Sequence, residues 1–183
     1  MIDNEFKKLL DEYIAEHFTG DESTDKDDNS PPPRILGALA CAVPPIAFSG
    51  ILGGLIFNKR EDDSQFEPVG ETFSEMLMRL IKESGKKPSE IYNHAEVDRQ
   101  IFSRIKQNRD YQPSKDTVIS FAFALKLYLP TTKKLLDTAG YALSTAVRRD
   151  VIISCFIEHK RFNLMELNET LFKYGKSVLL KRK

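Results

Sequence analysis

The side chains best suited to catalysis or metal binding are few and scattered in this chain. Three histidines (His17, His94 and His159) and two cysteines (Cys41 and Cys155) lie far apart, and none has a second His or Cys at metal-site spacing. No HExxH, CxxC or P-loop pattern is present, and no Ser-His-Asp signature is apparent. The sequence therefore predicts no metal, no cofactor and no enzymatic activity.

The charges are divided unequally along the chain. Residues 1–70 hold 6 basic and 14 acidic residues, whereas residues 71–183 hold 21 basic and 13 acidic residues. An acidic arm beside a basic body is typical of a polyanion-binding protein. An ordinary soluble surface is the alternative interpretation of the same numbers.

The length and the cysteine content indicate a reduced, cytoplasmic protein. A chain of 183 residues suffices for one domain with an appended arm. Both cysteines lie in apolar surroundings, and the first five residues lack the basic-then-apolar order of a secretory signal. The mean hydropathy of −0.36 argues against a polytopic membrane protein.

The first third of the chain divides into four segments. Apolar residues at helical spacing predict a short amphipathic helix over 1–18, which must dock on the body, a second copy or a partner. Residues 19–34 form an acidic linker that ends in three prolines, and residues 58–70 form a second polar linker. Apart from the helix, we expect this N-terminal arm to be largely unstructured.

Residues 35–57 form an apolar segment that either packs on protein or inserts in a membrane. The segment carries no charge and is long enough to cross a bilayer. Pro44 and Pro45 at its centre break a helix, which favours packing on the body or on a partner over membrane insertion.

From residue 71 onward the sequence predicts an all-α body. Thr72 and Glu75 form a capping-box pattern that begins the first helix, which ends at Gly85. The second helix begins at Pro88, and Asp98 N-caps the third, which ends at a left-handed Asn108.

Four further helices follow in the predicted body. One begins after Ser114, one runs from Pro130 to Gly140, and two occupy about 145–160 and 163–175. Val147 is expected to face the core from the penultimate helix, and Phe172 from the last one.

Residues 71–142 resemble the lambda-repressor/Cro-type (XRE-like) helix-turn-helix family. Residues 95–105, Ala-Glu-Val-Asp-Arg-Gln-Ile-Phe-Ser-Arg-Ile, look like the turn and recognition helix of that family. Residues 107–114 and 122–125 are similar to its downstream loop and fourth helix, and residues 135–141 to its fifth. The resemblance implies a five-helix domain, to which residues 143–183 add two C-terminal helices.

The resemblance also implies a DNA-binding surface. A recognition helix presents its N-terminal side chains to base edges, and here these are Arg99, Gln100 and Ser103. Arg pairs with guanine and Gln with adenine, although these residues also suit an ordinary solvated helix face. The expected phosphate contacts are the surrounding cations Lys87, Arg104, Lys106, Arg109 and Lys115.

Two hypotheses for function follow from these observations. The first is a bacterial transcriptional regulator that binds double-stranded DNA as a homodimer through its last two helices. The second is a helical adaptor that docks a protein partner through 1–18 and 35–57, with membrane tethering through 35–57 as a variant. Pro88, Tyr92 and Glu96 favour the adaptor, because the family usually has Gln, Ala and Gly at these positions.

Overall fold

The computed structural model describes residues 4–20 and 70–179, and within these ranges the chain is all-helical. The apolar segment 35–57 lies outside the described residues, as do the predicted linkers apart from residues 19, 20 and 70. The described helices are α1 (Asn4–His17), α2 (Phe73–Glu83), α3 (Pro88–His94), α4 (Arg99–Gln107), α5 (Lys115–Ala124), α6 (Leu129–Thr138), α7 (Arg148–Glu158) and α8 (Leu164–Lys173).

The predicted helix starts are confirmed where a capping residue marks them. Thr72 and Glu75 form a complete capping box at the start of α2. Asp98 accepts a hydrogen bond from the Gln100 amide at 2.6 Å, and Ser114 accepts one from the Thr117 amide at 3.3 Å.

The end of α4 and the bounds of α7 differ from the predictions. Asn108 has an extended backbone (φ −118°) rather than a left-handed one, and its side chain accepts a hydrogen bond from the Asp110 amide. The helix α7 begins at Arg148 rather than near 145, because the Ala146 amide donates to the Ser144 hydroxyl in a turn.

The core lies around α5 and α7. All ten residues of α5 are buried, which explains why this helix shows little amphipathic periodicity. The helices α3 and α6 pack on α5, while α1, α6 and α8 pack on α7. The helix α2 contacts both α4 and α6.

The amphipathic helix predicted at the N-terminus is confirmed and docks on the body. Phe6 packs edge-to-face on Phe156 of α7, with 5.1 Å between ring centroids, and the Arg161 guanidinium lies 4.2 Å from the Phe6 ring centroid. The Tyr174 hydroxyl donates to Asp11 of α1. The apolar face of α1 is therefore covered by this chain's own C-terminal helices.

The helix α8 exposes Phe172, an aromatic residue that the sequence analysis predicted to lie in the core. Phe172 is 77% exposed, so the prediction that it is buried is wrong. Leu164, Leu167 and Leu171 fill the inner face of α8, and Phe172 lies one residue past that stripe. Val147 is half-buried at the N-cap of α7.

Candidate nucleic-acid interface

The orientation of α4 is fixed by its apolar side and by one buried hydrogen bond. Phe102 and Ile105 are buried, and the Ser74 hydroxyl of α2 donates to the Ile105 carbonyl at 2.7 Å. The Tyr92 ring of α3 lies 5.4 Å from the Phe102 ring. These contacts determine which side of α4 faces solvent.

The three predicted base-reading residues share the solvent side of the first turns of α4. Arg99 and Gln100 are exposed, and Ser103 is half-buried. Positions 99 and 103, and likewise 100 and 103, are neighbours on a helix surface. The structure therefore brings these three residues together, with the Asp98 carboxylate engaged in capping the same turn.

Three of the predicted phosphate contacts are exposed and have no ion pair within the part of the chain that the structure describes. Arg104 and Lys106 extend from α4, and Lys87 is the N-cap residue of α3. Their long side chains can reach an anion without first breaking an internal salt bridge.

Arg109, the fourth predicted contact, already has an anionic partner. Its Nε lies 3.1 Å from Oε1 of Glu75, and both side chains are well exposed. Hydrogen bonds from the Thr72 backbone amide and hydroxyl, together with the Arg109 charge, hold the pKa of Glu75 below its usual value. A phosphate would compete with this carboxylate for Arg109.

Lys115, the fifth predicted contact, is not part of this surface. Its side chain is only 10% exposed, and Nζ lies 2.6 Å from Oδ2 of Asp150 on α7. The neighbouring residues form a reciprocal pair, in which Nη2 of Arg149 lies 2.6 Å from Oδ1 of Asp116. The assignment of Lys115 to phosphate binding is wrong, because this ammonium group is used to join α5 to α7.

Further hydrogen bonds support the two ion pairs, although Oδ1 of Asp150 is buried with no partner among the described residues. The Ser144 amide donates to Oδ2 of Asp150, and Nε of Arg149 donates to the Ser177 carbonyl. Such pairing is required because an isolated buried charge is very unfavourable. The sequence analysis missed this cluster, although the adjacent Arg149 and Asp150, directly before the apolar residues 151–153, were a signal for it.

The turn between α3 and α4 contains a strained residue that the sequence analysis noted only as a departure. Glu96 has a positive φ of 55°, and the Val97 amide donates to the Tyr92 carbonyl at 3.0 Å. This bonding closes α3 in a Schellman motif, which usually places glycine at the left-handed position. The glycine expected from the family resemblance was the signal for this conformation.

The titratable groups near α1 make local hydrogen bonds or are buried. Burial is the main cause that raises the pKa of the Cys155 thiol to about 12, which makes it a poor nucleophile near neutral pH. Nδ1 of His159 hydrogen-bonds the Cys155 carbonyl, and Nδ1 of His17 hydrogen-bonds the Tyr13 carbonyl. Over residues 4–20 and 70–179, no group of three potential metal ligands comes together.

No helix in the described ranges has the length and apolar composition needed to cross a membrane. No protein-family model matches the chain, and neither a curated protein nor a solved structure shows significant similarity to it.

Proposed function

We propose that this protein binds double-stranded DNA through α4 and regulates transcription as a helix-turn-helix protein. The observation that carries the proposal is the solvent-facing start of α4. There Arg99, Gln100 and Ser103 share one side of a helix that is held to the body by its opposite side. The exposed cations Lys87 and Arg104 support the same assignment.

The proposed contacts follow from the geometry of the major groove. A groove about 12 Å wide accepts one helix, whose N-terminal side chains then meet the base edges. Arg99 donates two hydrogen bonds to a guanine, and Gln100 pairs with an adenine. Lys87, Arg104 and Lys106 bind phosphates on either side of the groove, which positions the helix without reading sequence.

The helix order supports the resemblance to the lambda-repressor/Cro-type family. Five helices of 7–11 residues occupy 73–138, and the second and third are joined by only four residues. Tyr92 fills the space between these two helices by packing on Phe102. The larger side chain is thus compatible with a short link between α3 and α4.

We further propose that the protein acts as a homodimer through α8. Met165 and Phe172 are 71% and 77% exposed, and their spacing of seven residues places them on one side of the helix. Exposed apolar side chains on one helix face are typical of a contact surface. Two copies would read half-sites about 34 Å apart, a separation of one turn of DNA.

Selection from random duplex DNA, followed by a salt titration of the selected sequence, tests this proposal. We expect one enriched sequence and an affinity that falls by at least about 100-fold between 50 and 200 mM salt, because several phosphates are neutralised. An absence of enrichment together with no binding at 50 mM salt would refute the proposed function.

A protein-docking adaptor is the second candidate function, and the same exposed side chains of α8 favour it. Met165 and Phe172 suit a partner protein as well as a second copy. The adaptor function would be favoured if the wild type bound a stoichiometric protein partner that Phe172→Gln did not bind, and if no DNA binding occurred at low salt. Membrane tethering through residues 35–57 stays a prediction, because these residues lie outside the described ranges.

A further inference from the structure

A groove of about 550 Å³ opens between the turn after α3, the end of α5 and the start of α8. Phe162 lines it as a half-buried ring and packs edge-to-face on the buried Phe123, with ring centroids 5.9 Å apart. Met165 adds an exposed apolar side chain at the rim. The volume is within the range of about 300–1,000 Å³ that is typical of small-molecule sites.

Two cations, Lys86 and Lys126, line the groove, and neither side chain forms an ion pair with any described residue. Glu96 also lines the groove and contributes one negative charge. A half-buried aromatic ring with two ammonium groups in the same groove is suited to a ligand that combines a ring with an anionic group.

The backbone at Glu96 and Lys126 places both side chains at the groove. Both residues have positive φ values, 55° and 54°, because each is the left-handed residue that closes a helix, α3 or α5. Lys160 closes α7 in the same way, and its ammonium group lies 5.5 Å from the Tyr128 ring centroid, so its side chain has a local partner. Glu96 and Lys126 have no comparable side-chain partner in the described ranges, and both line the groove.

We propose that this groove is a binding site for a small aromatic anion. The ring packs on Phe162, and the anionic group is bound by Lys86 and Lys126. Glu96 selects against ligands with a second negative charge and accepts a hydrogen bond from a donor on the ring. The groove lining includes none of the proposed DNA contacts, although Lys86 directly precedes Lys87 and Glu96 lies two residues before the N-cap of α4.

Titration of the full chain with 8-anilinonaphthalene-1-sulfonate, a fluorescent aromatic anion, tests the site. We expect one bound molecule per chain, with affinity about five-fold weaker in Lys126→Gln and stronger in Glu96→Gln, because each variant removes one charge near the sulfonate. Both variants keep a straight side chain at the left-handed position, so the backbone strain is unchanged. N-phenyl-1-naphthylamine, which has the same rings without the sulfonate, is expected to bind all three proteins equally.

Two further variants act as controls for binding elsewhere on the surface. Lys133→Gln removes an exposed charge of α6, and Lys173→Gln removes an exposed charge of α8; neither residue lines the groove. We expect both to bind the sulfonate as the wild type does. The proposal is overturned if the sulfonate does not bind, if Lys126→Gln binds it as tightly as the wild type, or if either control weakens binding as much as Lys126→Gln. No DNA enters this experiment, so its result is independent of the proposed function.

Discussion

The first turns of α4 and α5 are similar in sequence and opposite in environment. Each helix has a side-chain N-cap, Asp98 or Ser114, and each continues with a cation, Arg99 or Lys115. Arg99 is exposed to solvent, whereas Lys115 is buried against Asp150. The comparison shows that a cap followed by a cation specifies a helix start but not which way the cation faces.

The difference arises from residues far along the chain. Lys115 pairs with Asp150, 35 residues later, and Asp116 pairs with Arg149, 33 residues later. For the start of α4, no described residue provides an equivalent partner. A cation at the start of a helix therefore either forms a buried ion pair between helices or stays exposed to solvent. The outcome depends on whether the fold places a carboxylate from another helix beside it.

The largest expected effect is the loss of stability when the α5 pair is broken. Lys115→Met leaves the Asp150 carboxylate buried without its cation, so we expect the free energy of unfolding to fall by about 3–5 kcal/mol. Urea denaturation measures this change. The exposed Lys106→Met is the matched control and is expected to change it by less than about 0.5 kcal/mol.

The double variant Lys115→Met with Asp150→Asn sharpens the same comparison. An asparagine oxygen can still accept the Ser144 amide hydrogen bond, and no buried charge is left without its partner, so much of the lost stability should return. A double variant as unstable as Lys115→Met alone would show that the side-chain volume of Lys115, rather than its charge, joins α5 to α7.

An intermediate effect is expected at the start of α4, on binding rather than on stability. Arg99→Ala should weaken binding to the selected DNA sequence by about 1–3 kcal/mol and relax the preference at one base pair. The reason is the loss of a bidentate contact with guanine, and fluorescence anisotropy with matched and mismatched duplexes measures it. Gln100→Ala should act at a neighbouring base pair.

Unchanged stability of Arg99→Ala is part of the same prediction, because the side chain is exposed and has no described ion pair. If Arg99→Ala and Gln100→Ala both bound the preferred sequence as the wild type does, α4 would not be the reading surface.

The smallest expected effect is on stability and concerns the N-cap residues of α4 and α5. Asp98→Ala and Ser114→Ala each remove one capping hydrogen bond, so each should lower the free energy of unfolding by about 1 kcal/mol. Thermal denaturation at matched pH measures both. An Asp98→Ala protein as stable as the wild type would show that tertiary contacts alone hold the start of α4.

Local sequence signals predicted the helices well and their environments less well. The capping box at Thr72 and the caps at Asp98 and Ser114 depend on residues two or three positions apart, so the sequence alone revealed them. The burial of Lys115 depends on α7, which no local pattern connects to α5.

Errors at the ends of helices have the same origin. Asn108 was expected to be left-handed, but its side chain instead accepts from the Asp110 amide, and the backbone stays extended. Phe172 continues the apolar periodicity of α8 by sequence, yet α8 buries only the side that contains Leu167 and Leu171. Periodicity identifies an apolar face but not how much of it neighbouring helices cover.

The docking of α1 has a topological consequence for the intervening chain. The helix α1 and the helices α2–α8 belong to the same compact unit, although 55 residues separate His17 from Phe73 in the sequence. A break in the covalent chain between Gly20 and Gly70 would therefore leave α1 held by non-covalent contacts, among them those of Phe6 and Asp11.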